Sequence, residues 1–147
     1  MSYIGTTIKA VAAVPASFDQ AGITGLTGLK ELGKVLSVGG GIGDDHADNS
    51  ATYLKDGRVN HQNGAADGGT KTFTVDGEDF DDEGLAIIAS ANGTNTAVTV
   101  VFEGPKHTRA LVGVIANLKT PEINPDQRAS ITFDLRVNSA EIRYAAA

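Results

Sequence analysis

At 147 residues with a net charge of −6 and no cysteine, the chain has no disulfide, no thiolate metal site and no cysteine nucleophile. Its 12 Lys and Arg form no cluster of the kind that binds phosphate backbones. Hydrophobic residues at 41% and charged residues at 20% fit a soluble, single-domain globular chain, and aromatics at 5% without Trp leave packing to Val, Ile, Leu and five Phe.

Residues 6–14, TTIKAVAAV, are rich in β-branched and small apolar residues and end at Pro15, which predicts a strand stopping at a turn. That apolar run is broken and has no basic residue before Lys9, so it does not make a secretory signal. No window approaches the roughly 20 apolar residues of a membrane-spanning helix. ASFDQAGITGLTG follows as a Gly-punctuated connection, then LKELGKVLSV (29–38) reads as one strand.

Between about 39 and 69 the chain runs GGGIGDDHADNSATYLKDGRVNHQNGAADGG, with little to bury beyond Ile42, Tyr53, Leu54 and Val59. Ordered loops longer than about 15 residues are uncommon inside compact domains and tend to be functional. The segment therefore reads as an arm, a flexible tether or a long hairpin, that holds something outside its own domain.

TKTFTVD (70–76) alternates as a strand. EDFDDEGLAIIASANG then predicts the one helix, with Asp79 or Asp81 as N-cap and Asp82 and Glu83 in the first turn. Leu85, Ile88 and Ala89 form its apolar face, and Asn92 and Gly93 stop it. TAVTVVFE (96–103) alternates, RALVGVIANL (109–118) is nearly all apolar and so central, and RASITFDLRV (128–137) alternates strictly. SAEIRYAAA ends the chain as a short strand and tail. The fold class is α+β, mainly β: an antiparallel sandwich or barrel with one helix packed on it and a long loop or hairpin arm.

Chemistry is sparse. The acidic run 78–83 lacks calcium-loop spacing and is accounted for by a capped helix start. Asp44, Asp45, His46 and Asp48 are a weak candidate metal cluster, and the three His share no motif. The Gly-rich stretch 39–43 leads into Asp44 and Asp45, which would repel phosphate. No acid–base or nucleophile pair stands out, and the expectation is a non-enzyme without cofactor or metal. The strands 96–103 and 128–137 carry little edge protection, so they read either as central strands or as edges that pair with a neighbouring copy.

Several passages resemble the major tail tube proteins of long-tailed phages. PASFDQAG (15–22) is similar to that family's Pro-x-aromatic-Asp-x-x-Gly passage, and LGKVLSVGG (32–40) to the strand ahead of its long loop. The loop, the Thr70–Asp76 strand, an acidic helix, Phe102-Glu103-Gly104 and Leu111–Ile115 follow in the family's order. Glu83-Gly84 departs from the Gly-Gln usual there, and the hairpin at Pro105 is shorter.

The resemblance implies a virion structural protein, made in the host bacterial cytoplasm. It implies hexameric rings stacked into a tail tube, with an acidic channel through which DNA slides without specific binding. It further implies contacts with tape measure, tail terminator and distal tail proteins, and none with membrane. Ile42, Asp44, Asp45, Tyr53, Leu54 and Val59 would make inter-ring contact; Thr99, Val101, Thr132, Asp134 and Arg136 would lie on inter-subunit or barrel strands. Val100, Phe102, Phe133 and Leu135 would be core or barrel wall. The alternatives are a monomeric β-sandwich module binding carbohydrate, and the tube of a contractile tail or secretion apparatus.

Overall fold

Period-two alternation of apolar residues produces a mainly β molecule in the computed structural model. It describes residues 5–145 apart from positions 34, 40, 42, 44, 53, 56, 78–81, 122, 127 and 128. The elements in chain order are β1 (Thr7–Val11), α1 (Gln20–Thr24), β2 (Lys30–Glu31), β3 (Val35–Gly39), β4 (Asp45–Thr52), β5 (Val59–Asp67) and β6 (Thr70–Asp76). Then come α2 (Glu83–Ala91), β7 (Val98–Glu103), β8 (His107–Lys119), β9 (Ser130–Val137) and β10 (Ile142–Ala145).

Eight strands form one antiparallel sheet ordered β2-β1-β7-β8-β9-β6-β3, with β10 also pairing β8; β4 and β5 pair only with each other. The long β8 carries β7 along one side. Along the other it carries β9 and then β10, Val137 facing Gly113 and Ile142 facing Ala110.

The sheet folds over its own apolar face. Phe73 of β6 and Phe102 of β7 lie three strand positions apart, about 14 Å in a flat sheet. Their ring centroids are nevertheless 5.8 Å apart. Phe73 also stacks at 4.9 Å on Phe133, its cross-strand partner on β9. Around these rings pack Ile8, Val75, Val98, Val100, Leu111, Ile115, Ile131 and Leu135, with Leu85, Ile88 and Ala91 of α2. Val100, Phe102, Phe133 and Leu135 are thus core. The result is sandwich-like rather than a closed barrel, since β2 and β3 end the strand order without pairing.

A second, smaller cluster occupies the opposite face of β7 and β8. Val101, Ala110 and Ile142 pack there against Ile23 of α1, with Leu26, Leu29 and Tyr144 beside them. The sequence treated this stretch as connection only, so α1 is an addition to the expected single helix. Asp19 caps it, accepting from the Gly22 N–H at 2.9 Å and the Ser17 hydroxyl at 2.7 Å. The Ser17 bond first, and then the Gly22 N–H, hold the Asp19 carboxyl below its ordinary pKa. Because the folded-state value is depressed, what this cap contributes is present above the ordinary carboxylate pKa. It fades as pH falls through the depressed one.

Two further expectations need correction. The expected strand 29–38 is broken: β2 stops at Glu31, Leu32 is buried, and β3 restarts at Val35 with a bulge between Val35 and Ser37. The N-cap of α2 is Asp82, not a first-turn residue, and Asp79 and Asp81 lie outside the described residues. Asp82 Oδ1 accepts from the Gly84 and Leu85 N–H groups, while Oδ2 accepts from the Gly33 N–H at 3.2 Å. One carboxylate thus starts the helix and ties it to the turn after β2. The helix ends where expected, at Asn92, with Gly93 at φ 74°.

Candidate assembly surfaces

The expected arm is a hairpin. Pairing runs from Asp45 opposite Asp67 to Thr52 opposite Val59, with a bulge between His46 and Asp48. All eight residues of β4 are exposed, as is every residue of β5 except the half-buried Gly64. Both faces of the ribbon therefore meet water.

Little within the hairpin holds it. Its strands are built largely of Asp, Asn, Ala, Gly and His, residues mostly poor at filling a pleated surface. Asp45 and Asp67 stand directly opposite, and like charges in such pairs destabilise. Among the described residues, His61 Nδ1 lies within hydrogen-bond distance of Asp48 Oδ2 at 2.9 Å, with both side chains more than half exposed. So exposed a contact holds little, and a lone two-stranded hairpin is marginal in water.

At the distal end Leu54 is 104% exposed and Val59 48%. Leu54 is therefore not packed against the described residues of its own domain. Ile42, Asp44 and Tyr53 lie outside the described residues. Among the described residues no group of three His, Asp or Glu is placed to hold a metal ion.

The five strand positions share the non-core face of the sheet and divide by what covers them. Thr99 and Val101 sit on β7, a central strand between β1 and β8, at 0% and 1% exposure. The Thr99 hydroxyl donates to the Ala13 carbonyl at 2.6 Å, and Val101 lies under α1. Neither side chain is presented to a neighbour, and of the two readings of β7 and β9, central strands or open edges, the structure has the first: both have strands on each side. Alternation could not warn of this, because the α1 cover that buries Val101 was not foreseen.

Thr132, Asp134 and Arg136 of β9 lie on the same side of the sheet, opposite the aromatic core, but away from the α1 cluster. The Thr72 hydroxyl of β6 donates to Asp134 Oδ1 at 3.0 Å, and Asn117 Nδ2 donates to Oδ2 at 2.9 Å. Asn117 reaches Asp134 because the β8 bulge puts it in the left-handed region at φ 57°, which Asn tolerates better than most residues. Together with Thr70 and Thr74, these side chains make a polar sheet face. Sequence reasoning picked out its β9 half from alternation but missed Thr72 and Asn117, whose contribution depends on register.

The edges of the sheet are β2, β3 and the outer side of β10. On β10, Arg143 Nη2 pairs with Glu141 Oε1 at 2.9 Å, and Arg109 Nε approaches the same oxygen at 3.4 Å. Tyr144 is pushed above its ordinary pKa, first by burial and then by the Glu103 carboxylate. On β3, Leu36 is exposed. These short strands carry the free backbone edges that the longer ones lack.

No protein-family model matches the chain, and no curated protein matches it. Among solved structures, the fold is similar to a chain in the cryo-EM structure of the extracellular contractile injection system PVC, sheath/tube terminator in the extended state. The TM-score is 0.63 and the identity 12%, over 99% of this chain and 96% of that one. It is also similar to a chain of the phage p2 baseplate in its activated conformation with Sr, with a TM-score of 0.54 and 14% identity over 90% of this chain. The match spans 45% of that baseplate chain. At these identities the likeness is one of fold alone, shared with one chain of each of these two assemblies.

Proposed function

We propose that the chain is a structural subunit of a phage tail or tail-like injection particle, a virion component that assembles with copies of itself into hexameric rings stacked as a tube. The observation that carries this reading is the hairpin β4–β5, a fully formed ribbon exposed on both faces, with an uncovered Leu at its end. Such a ribbon gains its order from a neighbour, and stacked copies supply one at every subunit. The contacts Ile42, Asp44, Asp45, Tyr53, Leu54 and Val59 belong to this interface.

The polar face of β6 and β9, carrying Thr72, Thr132, Asp134 and Arg136, is the wall turned to the channel. Asp134 and Arg136 offset each other on this wall, so it offers DNA no basic cluster to hold. The net charge of −6 per subunit makes the assembly as a whole repel phosphate, while DNA slides through without specific binding. Tape measure, tail terminator and distal tail proteins are the expected partners. The role asks for no catalytic residue and no cofactor.

A second reading is favoured by the likeness to the PVC sheath/tube terminator chain over nearly the full length. On that reading the subunit closes a single ring that ends a tube. The two readings separate by growth: a tube protein polymerises beyond one ring and a terminator stops there.

The test is to replace residues 45–67 by a short Gly-Ser bridge. The shortened subunit is expected to fold with its eight-stranded sheet intact and to lose stacking. Long tubes formed without the hairpin would overturn the role given to it.

A further inference from the structure

The proposed stacking needs a receiving surface for the hairpin, and one groove fits its end. An open cavity of about 390 Å³ lies between α2 and the end of β1, lined by Ala12, Ala86, Ile87, Ser90, Ala91 and Thr96. Its walls are small and uncharged. Glu83 precedes Ala86 and Ile87 by three and four positions, so all three share a helix face, and Glu83 forms an acidic rim one turn from the groove. The Glu83 side chain is 73% exposed even though it pairs with Lys30 at 3.2 Å.

The hairpin end is the complement. Leu54 is an apolar knob not packed against the described residues of its own domain, flanked by Lys55 and Arg58, both exposed. These two are basic in a chain whose net charge is −6. We infer that Leu54 seats in the α2–β1 groove of a second copy of this chain, with Lys55 and Arg58 against the Glu83 rim. The inference rests on the ring-stacking reading above and names the surface that reading requires.

Knob and socket sit on different elements, so the contact can run head-to-tail from copy to copy, as the stacking reading requires. A second groove of about 340 Å³, beside α1 and lined partly by Ala13, Val14, Leu26 and Thr27, is the competing receiver. Its neighbouring carboxylate, Asp19, accepts from the Gly22 N–H and the Ser17 hydroxyl, as Glu83 pairs with Lys30, so the cross-link decides between the two grooves.

The absence of cysteine makes the test direct. Full-length Leu54→Cys and Ser90→Cys proteins, both changed at exposed positions, are mixed and oxidised with copper phenanthroline. The expected result is a disulfide-linked species at twice the monomer mass. Leu54→Cys mixed with Thr27→Cys or Thr132→Cys should give no such species. Lys55→Glu with Arg58→Glu should abolish the Leu54–Ser90 link, and adding Glu83→Lys to the Ser90→Cys partner should restore it.

A link to Thr27 in place of Ser90, or charge reversal without effect, overturns the groove assignment. Rings or tubes seen by electron microscopy without a Leu54–Ser90 link reject the groove and leave the subunit reading standing. Absence of both link and assemblies rejects the two together.

Discussion

Asp82 shows how much of this fold hangs on single polar groups. Its carboxylate accepts from the N–H groups of Gly84 and Leu85 at the start of α2, and from Gly33 in the turn after β2. Loss of an N-cap acceptor costs roughly 0.5–2 kcal/mol. Asp82→Ala should therefore lower the thermal midpoint by several degrees, and Asp82→Asn, which retains capping ability, by less. Calorimetry of the three proteins checks the order. Gly84 makes a sharper case, because propensity and packing disagree in sign. A helix gains about 1 kcal/mol when Gly becomes Ala, yet a Cβ on Gly84 would stand 2.5 Å from the Glu31 carbonyl oxygen and 3.0 Å from Leu32 Cγ. Backbone cannot yield as a flexible side-chain end can, so Gly84→Ala should destabilise; a stabilised variant would show that α2 is not packed on β2 in this way. At this scale the sequence was legible where alternation alone decides, as for Phe133 and Leu135. It failed on the cap because several acids compete, and the choice is settled by Gly33, 49 residues away.

At the level of elements, the strands differ in what keeps them folded. β6 and β9 pair through seven consecutive residues over an aromatic core, whereas β4 and β5 pair over nothing. Native-state hydrogen exchange on dilute protein should show slow amides in β6 and β9 and fast ones in β4 and β5. In the assembled protein the hairpin amides should become slow. Hairpin amides already as protected as the core in the monomer would contradict the account. The order of strands and the position of α2 could be read from periodicity and stop signals, and the low-complexity composition marked the arm. Which strands are edges could not. Strict alternation describes a central strand whose outer face is polar, such as β9, as well as an edge. β7 looked similar although α1 covers part of its second face. α1 itself is only a turn and a half of helix seeded by the Asp19 cap, too short for a periodic signal.

For the molecule as a whole, the folded sheet separates two duties. One face and α2 bury the aromatic core, so the subunit needs no partner to close its interior. The polar outer face of β6 and β9, the short edges β2, β3 and β10, and the projecting hairpin lie outside that core; on the proposed reading the first faces the channel and the others meet neighbouring copies. Edge exposure and an unsupported ribbon are hazards in a monomer, and both are consumed if copies stack. The measurement that tests this most directly is negative-stain electron microscopy of the purified full-length chain over rising concentration, with light scattering on the same samples. The account predicts rings that give way to hollow tubes, or to single closed rings if the subunit is a terminator, with scattering that rises accordingly. A single species of monomer mass at every concentration, with no rings in the images, would contradict it.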